Sequence, residues 1–119
     1  MLAASAFEFA GVTTGVERNA TVATGNGNGL TVGPTTLATT VPNQLVLSVF
    51  NPYADTNTVA PTATALNGNI ALPDAAATSA TRRTRVIPVY RIVSATGTQS
   101  AQIDISAVSD FDAALGTFR

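Results

Sequence analysis

The chain has 119 residues and a formal net charge of −1, and only 11% of its residues are charged, where a soluble domain has about 25%. It contains no Cys, His, Lys or Trp, which excludes disulfide scaffolds, thiolate or imidazole metal sites, and catalytic pairs that use Cys or His. A hydrophobic content of 45% excludes intrinsic disorder, and the near-zero charge gives no general attraction to nucleic acid or to an anionic membrane.

The first thirty residues contain two features of interest. Residues 1–10 are apolar, but no basic residue precedes them and Glu8 interrupts them, so we expect no signal peptide. Phe7 and Phe9 alternate with Glu8 at the spacing of an extended strand. Further on, the β-branched run at 21–24 leads into Gly-Asn-Gly-Asn-Gly at 25–29, which includes Asn26 and Asn28. No lysine or helical pattern follows to make this a phosphate-binding loop, so it predicts a flexible hairpin or contact loop.

The middle of the chain predicts strands rather than helices. Residues 30–41 suggest one or two strands broken near Gly33-Pro34. A turn at Pro42-Asn43 precedes residues 44–50, a nearly continuous apolar run that suits a strand covered on both faces and ended by residues 51–53. The pattern weakens over residues 54–85, where we expect surface loops or edge strands and a turn at Asn67-Gly68.

The final third predicts two strands and a helix. Residues 86–93 form a strong strand whose Pro88 favours an edge position or a bulge, and residues 101–106 alternate as a half-buried strand does. In residues 109–118, early acids and the apolar spacing of Phe111, Leu115 and Phe118 predict a short C-terminal helix. The whole chain, residues 1–119, is therefore predicted to be a single all-β domain, an antiparallel β-sandwich of jelly-roll type with one short C-terminal helix. Its predicted core is Leu45, Val46, Leu47, Val49, Ile92, Ile103, Ile105, Phe111 and Leu115.

Chemical sites are scarce in this sequence. The seven acids suggest no glycosidase pair or metal cluster by their spacing, so we expect no enzyme activity, metal or other cofactor. Arg82, Arg83 and Arg85 form the one charge cluster. This cluster fits three roles: contact with nucleic acid, pairing with carboxylates on a protein partner, or protection of the neighbouring strand against aggregation. The absence of interleaved aromatic residues disfavours the first role.

The low charge points to assembly. A chain so poor in charged residues presents Thr, Ala, Asn and Val to its surroundings, and such a surface favours association. We therefore expect a homo-oligomer or a subunit of a permanent assembly, with neither nucleic acid nor membrane as a partner. The predicted interface residues are Phe7, Phe9, Asn26, Asn28, Arg82, Arg83 and Arg85.

Two motifs carry a family resemblance. Tyr90-Arg91-Ile92-Val93 followed by Gly97 forms a Y-x-I-V-x-x-x-G hairpin, and Pro42-Asn43-Gln44-Leu45-Val46 forms a P-N-x-L-V strand. Together with the aromatic-containing tail, they resemble β-sandwich modules of bacteriophage virion and bacterial surface proteins, although such modules often carry a Trp in the tail, where this chain has Phe111 and Phe118.

The resemblance implies a non-enzymatic virion structural protein, assembled in the host cytoplasm. Its small size suits a capsid decoration, or cement, protein that binds the major capsid protein or other virion proteins and stabilises the head. The alternative that the resemblance leaves open is a tail, fibre or baseplate component that binds a host-surface receptor or glycan.

Overall fold

Seven strands make up the secondary structure of the described chain. The structure is a computed structural model that describes residues 3–12, 16–54 and 62–119, of which the side chains at 21–26, 28 and 54 are left out. The strands are β1 (Arg18–Val32), β2 (Gln44–Ala54), β3 (Ala63–Ala65), β4 (Ile70–Ala71), β5 (Ala75–Thr78), β6 (Arg83–Val93) and β7 (Ala101–Phe118). The predicted all-β fold is confirmed.

All strand pairs are antiparallel and belong to one sheet. The last strand, β7, lies between β1 on one side and β2 with β3 on the other, and β6 lies on the far side of β2. The short strands β4 and β5 both pair with the outer side of β6. These short strands lie in the region that the sequence assigns to loops or edge strands.

The sheet curls around its own core. A straight strand of 18 residues, the length of β7, would extend about 60 Å at roughly 3.3 Å per residue. The longest dimension of the molecule is 46 Å, so the strand must bend and twist. The curl gives a sandwich-like arrangement in which one cluster of apolar side chains is at most 7% exposed. The cluster consists of Leu30, Val32, Val46, Phe50, Ile87, Val89, Ala101, Ile103, Ile105, Phe111, Ala113 and Leu115.

The predicted core is mostly, though not wholly, correct. Six of its nine residues are buried, and five of them belong to this cluster: Val46, Ile103, Ile105, Phe111 and Leu115. Leu45 is buried on the opposite face of β2, where Leu47 and Val49 are half-buried, and Ile92 is 63% exposed on the corresponding face of β6. The inclusion of Ile92 was therefore wrong, because this residue faces away from the core.

The predicted C-terminal helix is wrong, since residues 109–118 are the second half of β7. Phe111 and Leu115 are four positions apart, a spacing that places two residues on one face of a helix but also on one face of a strand. Along β7 the odd-numbered residues Ser109, Phe111, Ala113, Leu115 and Thr117 are buried, which is strand periodicity. The hydrogen-bonding partners on both sides, β1 and β2, favour the strand over the helix.

The predicted glycine and asparagine loop is also wrong. Residues 25–29 lie within β1, where Asn26 is opposite Asp110 and Gly27 is opposite Ser109. The pairing register shifts between Val22 and Gly25 and again between Gly27 and Gly29. Glycine tolerates the irregular backbone of such bulges, so the glycines bend the strand without ending it.

Pro52 and Pro88 both lie inside strands. β2 continues through Pro52 to Ala54, beyond the predicted end at residues 51–53. The edge position predicted from Pro88 is wrong for β6, which has partners on both sides. Pro88 falls between the part of β6 that pairs with β4 and the part that pairs with β5, and its carbonyl accepts the Leu72 N–H at 2.9 Å. Both main-chain polar groups of an antiparallel residue point to one side, so the missing N–H faces this gap rather than β2.

The predicted turn at Asn67-Gly68 is confirmed. Both residues have positive φ, +56° and +78°, and the Asn69 N–H donates to the Leu66 carbonyl at 3.1 Å. Positive φ at both central residues is typical of a type I′ turn, in which Asn-Gly is a favoured pair.

Candidate assembly surfaces

Residues 3–12, here called the arm, lie extended across the face of the sheet that points away from the core. Odd-numbered residues of the arm, from Ala3 to Phe9, are half-buried against the protein, and the even-numbered residues between them are exposed. This alternation agrees with the spacing of Phe7, Glu8 and Phe9 in the sequence. The predicted interface residues Phe7 and Phe9 therefore face their own sheet.

Side chains hold the arm in place. The rings of Phe7 and Phe9 meet edge to face at 5.9 Å, and Phe9 meets Tyr90 of β6 in the same way at 5.2 Å. Near the start of the arm, the Ser5 hydroxyl donates to the Pro73 carbonyl at 2.7 Å. Among the described residues, no main-chain hydrogen bond joins the arm to a strand. Within the described residues, one aromatic contact, one hydrogen bond and the packing of the half-buried side chains therefore hold the arm on the sheet.

Beneath the arm runs an apolar surface, here called the outer groove, formed by Leu45, Leu47, Tyr90, Ile92 and Phe118. The strand register makes these residues neighbours, because Leu45 is opposite both Ile92 and Phe118, and Leu47 is opposite Tyr90. The arm does not fill the groove. A hollow of about 190 Å³ remains, lined by Leu45, Leu47 and Phe118 together with Phe9 and Val12 of the arm.

The far end of the same face is polar. Asn51, Tyr53, Arg82, Thr84 and Asp112 line a hollow of about 400 Å³. The register explains their meeting, since Asn51 is opposite Asp112 and Tyr53 is opposite Thr84. The Thr84 hydroxyl donates to the Asn51 side-chain oxygen at 2.6 Å. The sequence does not indicate this hollow, because its members come from β2, β7 and the beginning of β6 with the preceding Arg82, and no local motif joins them.

The arginine cluster is divided between β6, which contains Arg83 and Arg85, and the residue before it, Arg82. Arg85 forms an ion pair with Asp74 at 2.5 Å, and Arg83 donates to the main-chain carbonyls of Ser79 and Arg82. These contacts stabilise the turn between β5 and β6 and the link before β5. Arg82, by contrast, lines the polar hollow. The three guanidinium groups are therefore not gathered into one basic patch.

The outer edge of β1 is long and open. β1 has 15 residues and pairs with β7 along one side, while no strand of the described residues pairs with its other side. Unpaired main-chain groups on an edge strand form a template for strand addition. Asn26 and Asn28 contribute main-chain groups to β1, and their side chains lie outside the described residues.

Exposed apolar side chains lie beside the start of this edge. Val16 is 52% exposed and Leu37 is 62% exposed, and both line a hollow of about 280 Å³ with residues 17–19 and 36. Apolar exposure next to an unpaired edge is a feature of protein interfaces.

Glu17 secures the loop that follows β1, a role that the sequence does not indicate. Its carboxylate accepts hydrogen bonds from the Thr40 N–H at 2.9 Å, from the Thr40 hydroxyl and from the Gln44 amide. The hydrogen bond from the Thr40 side chain has the largest effect on the pKa of Glu17 and lowers it, whereas desolvation acts in the opposite direction. The hydrogen bonds from Gln44 and the Thr40 main chain and the charge of Arg18 lower it further, so that the pKa of Glu17 is about 2. Arg18 also holds this loop, since its Nε donates to the Ala38 carbonyl at 2.9 Å.

Neither a metal centre nor a membrane-spanning helix is found in the described part of the chain. Within residues 3–12, 16–54 and 62–119, no three acidic side chains come close enough together to hold a metal ion. The same residues contain no helix with the length and hydropathy of a membrane span.

Comparisons of this chain with protein-family models, with curated proteins and with solved structures give no match.

Proposed function

We propose that this protein is a non-enzymatic structural subunit of a bacteriophage virion, a capsid decoration protein that binds the major capsid protein and stabilises the head. The observation that carries the proposal is the 15-residue β1 with its open edge. The resemblance of the P-N-x-L-V and Y-x-I-V-x-x-x-G motifs to virion modules supports the choice of assembly.

Strand addition gives this edge a physical role. A capsid segment paired with β1 would satisfy its outward main-chain groups and cover the neighbouring Val16 and Leu37. Each such contact is modest, but the symmetry of a shell repeats it many times. The low net charge of −1 suits close packing among many copies.

The test of this proposal is binding to isolated heads. We expect the protein to co-purify with capsids at a fixed stoichiometry and to raise the temperature at which the shells break. Thr31, an exposed residue of β1, offers a site for disruption, because a lysine on an edge strand opposes strand addition. Thr31→Lys should weaken head binding by about tenfold or more, while Thr96→Lys, with the same charge change on the exposed loop before β7, should bind normally. Detection of the protein in tails alone would refute the proposal.

The polar hollow favours a second candidate, a tail, fibre or baseplate component that binds a host-surface glycan. Carboxylate, amide, hydroxyl and guanidinium groups beside the ring of Tyr53 match the hydroxyl groups and apolar faces of a sugar. Under this alternative the isolated protein should bind host cells, and Asp112→Asn should weaken that binding while leaving the melting temperature within about 2 °C. Absence of binding to host cells and to their isolated surface glycans would exclude it.

A further inference from the structure

We propose that the arm is an exchangeable segment, and that the outer groove of each copy receives the arm of a second copy of this chain. The inference rests on the proposed role as an assembly subunit and names a partner within the assembly. The groove fits this segment, since the chain's own arm lies in it.

The way in which the arm is held makes it detachable. Phe7, Phe9 and Ser5 provide the contacts, and no main-chain ladder within the described residues would have to break for the arm to leave. Release costs the partial burial of the odd-numbered arm residues from Ala3 to Phe9, the cover of the outer groove and one hydrogen bond. All of these contacts re-form when the same arm binds the same groove of another copy, so exchange changes the connectivity and leaves the local contacts unchanged.

In the single chain, apolar side chains around the arm stay partly exposed, and this favours a dimer with exchanged arms. Val12 at the end of the arm stays 37% exposed, and Ile92 at the margin of the groove stays 63% exposed. A second copy brought close by its arm can cover these margins, which the single chain leaves in contact with water. The gain in buried apolar surface is the free energy that exchange adds to the contacts already present.

Gly11, near the end of the arm, has a φ of +83°, and a side chain placed there would meet nothing within 4 Å. No tight packing around the Cα of Gly11 therefore holds this turn of the arm in place.

Cross-linking tests the inference directly, because the natural chain has no Cys. The Ser5 hydroxyl contacts the Pro73 carbonyl, so Ser5→Cys and Pro73→Cys are made as two separate single-site variants and refolded together. A short bis-maleimide then links the two variants only where the arm of one chain lies on the sheet of the other. With random pairing in an equal mixture, about a quarter of the exchanged arms, those of a Ser5→Cys chain on the sheet of a Pro73→Cys chain, should give such a covalent heterodimer.

Two controls fix the interpretation. The doubly substituted chain, with both cysteines, should cross-link in every case, within or between chains, and reports that the contact exists. A mixture of Ser5→Cys with Thr96→Cys, on the loop between β6 and β7, should give no heterodimer. If the double variant links only within single chains and the mixed single variants give no heterodimer, the arm stays on its own sheet and the inference is wrong.

A substitution in the arm tests the same point without cysteines. Phe9→Ala should weaken self-association by about tenfold or more, whereas Glu8→Ala, on the exposed side of the arm, should not. Equal self-association of both variants would overturn the inference. Head binding without arm exchange would contradict this inference alone, while arm exchange without head binding would contradict the proposed function alone.

Discussion

Gly33 and Gly68 offer a sharp test of how the end of β1 is packed. Both have positive φ, +101° and +78°, so alanine is strained at either position. Their surroundings differ. A Cβ on Gly33 would lie 2.7 Å from the Gln99 carbonyl oxygen and 2.8 Å from the Ser100 Cα, while a Cβ on Gly68 would have nothing within 4 Å.

The expected losses of stability follow from these distances. The left-handed backbone costs alanine about 1–2 kcal/mol at either position. At Gly33 a methyl group also pushes against main-chain atoms of Gln99 and Ser100, and overpacking of this kind adds about 1–3 kcal/mol. The Thr35 N–H donates to the same Gln99 carbonyl at 2.9 Å, so a shift of that carbonyl weakens this hydrogen bond too. Gly33→Ala should thus cost about 2–5 kcal/mol and Gly68→Ala about 1–2 kcal/mol.

Guanidinium denaturation of the two variants, followed by circular dichroism, measures the difference. In thermal unfolding the gap between them should be about 4–12 °C, at roughly 4 °C per kcal/mol for a chain of this size. Equal losses would refute the close approach of Gly33 to residues 99 and 100. A larger loss at Gly68 would contradict the assigned surroundings of both glycines.

Three further predictions concern the core, pH and the last strand. Phe50→Ala should lower the free energy of unfolding by about 3–5 kcal/mol in denaturant titrations, because Phe50 is fully buried opposite Ile87 and Ala113. Ile92→Ala should lower it by under about 1 kcal/mol, and similar losses for the two variants would contradict the assignment of Phe50 to the inner face. The Glu17 carboxylate, with its pKa lowered to about 2, stabilises the fold above the unfolded pKa of about 4.5, and this stabilisation is lost as the pH falls towards 2. Glu17→Gln should remove this part of the dependence of the melting temperature on pH. If the variant and the natural protein showed the same pH dependence, the stabilising role of the Glu17 carboxylate would be refuted. Ala114→Thr, at an exposed position of β7, should raise the free energy of unfolding by up to about 1 kcal/mol, because threonine favours strands. If residues 109–118 formed a helix, the same substitution would lower the free energy of unfolding.

Local pattern predicted the strands whose environment is regular along their length. Residues 101–106 alternate because β7 has one buried and one more exposed face there. Residues 44–50 are nearly continuously apolar because β2 has the core on one side and the arm on the other. Both patterns reflect burial that neighbouring positions share, so a short window of sequence is enough to detect them.

The helix predicted for residues 109–118 was wrong because Phe118 lies on the opposite face of β7 from Phe111 and Leu115. Phe111 and Leu115 fit a helix and a strand equally well, and only Phe118 separates the two. Phe118 is apolar on the outer side of β7, where it lines the outer groove with Leu45 and Leu47. A second apolar face, covered by a segment more than a hundred positions earlier in the chain, breaks the alternation that would have indicated a strand.

The candidate surfaces depend on contacts between distant segments of the chain, which no local sequence pattern predicts. Phe7 and Phe9 were predicted as interface residues from their spacing, but the contact of Phe9 with Tyr90 joins segments about eighty positions apart. Arg82, Arg83 and Arg85 look like one cluster in the sequence, yet alternation along the chain places Arg82 in the polar hollow and directs Arg83 and Arg85 to main-chain and Asp74 oxygens. Residues that are adjacent in sequence can share a surface patch when they lie in a loop, but in a strand they point to opposite faces of the sheet.

The arm connects the low charge of the chain to its assembly. A curled sheet needs one apolar face for its core, but here Leu45, Leu47 and Phe118 give the opposite face an apolar end as well. Without a cover this end would be an exposed patch that promotes indiscriminate association. Within the described residues the arm covers it without a main-chain ladder, so under the proposed exchange another arm of the same sequence can replace it. Association is thereby limited to partners that carry a matching arm, which makes a surface with few charges selective.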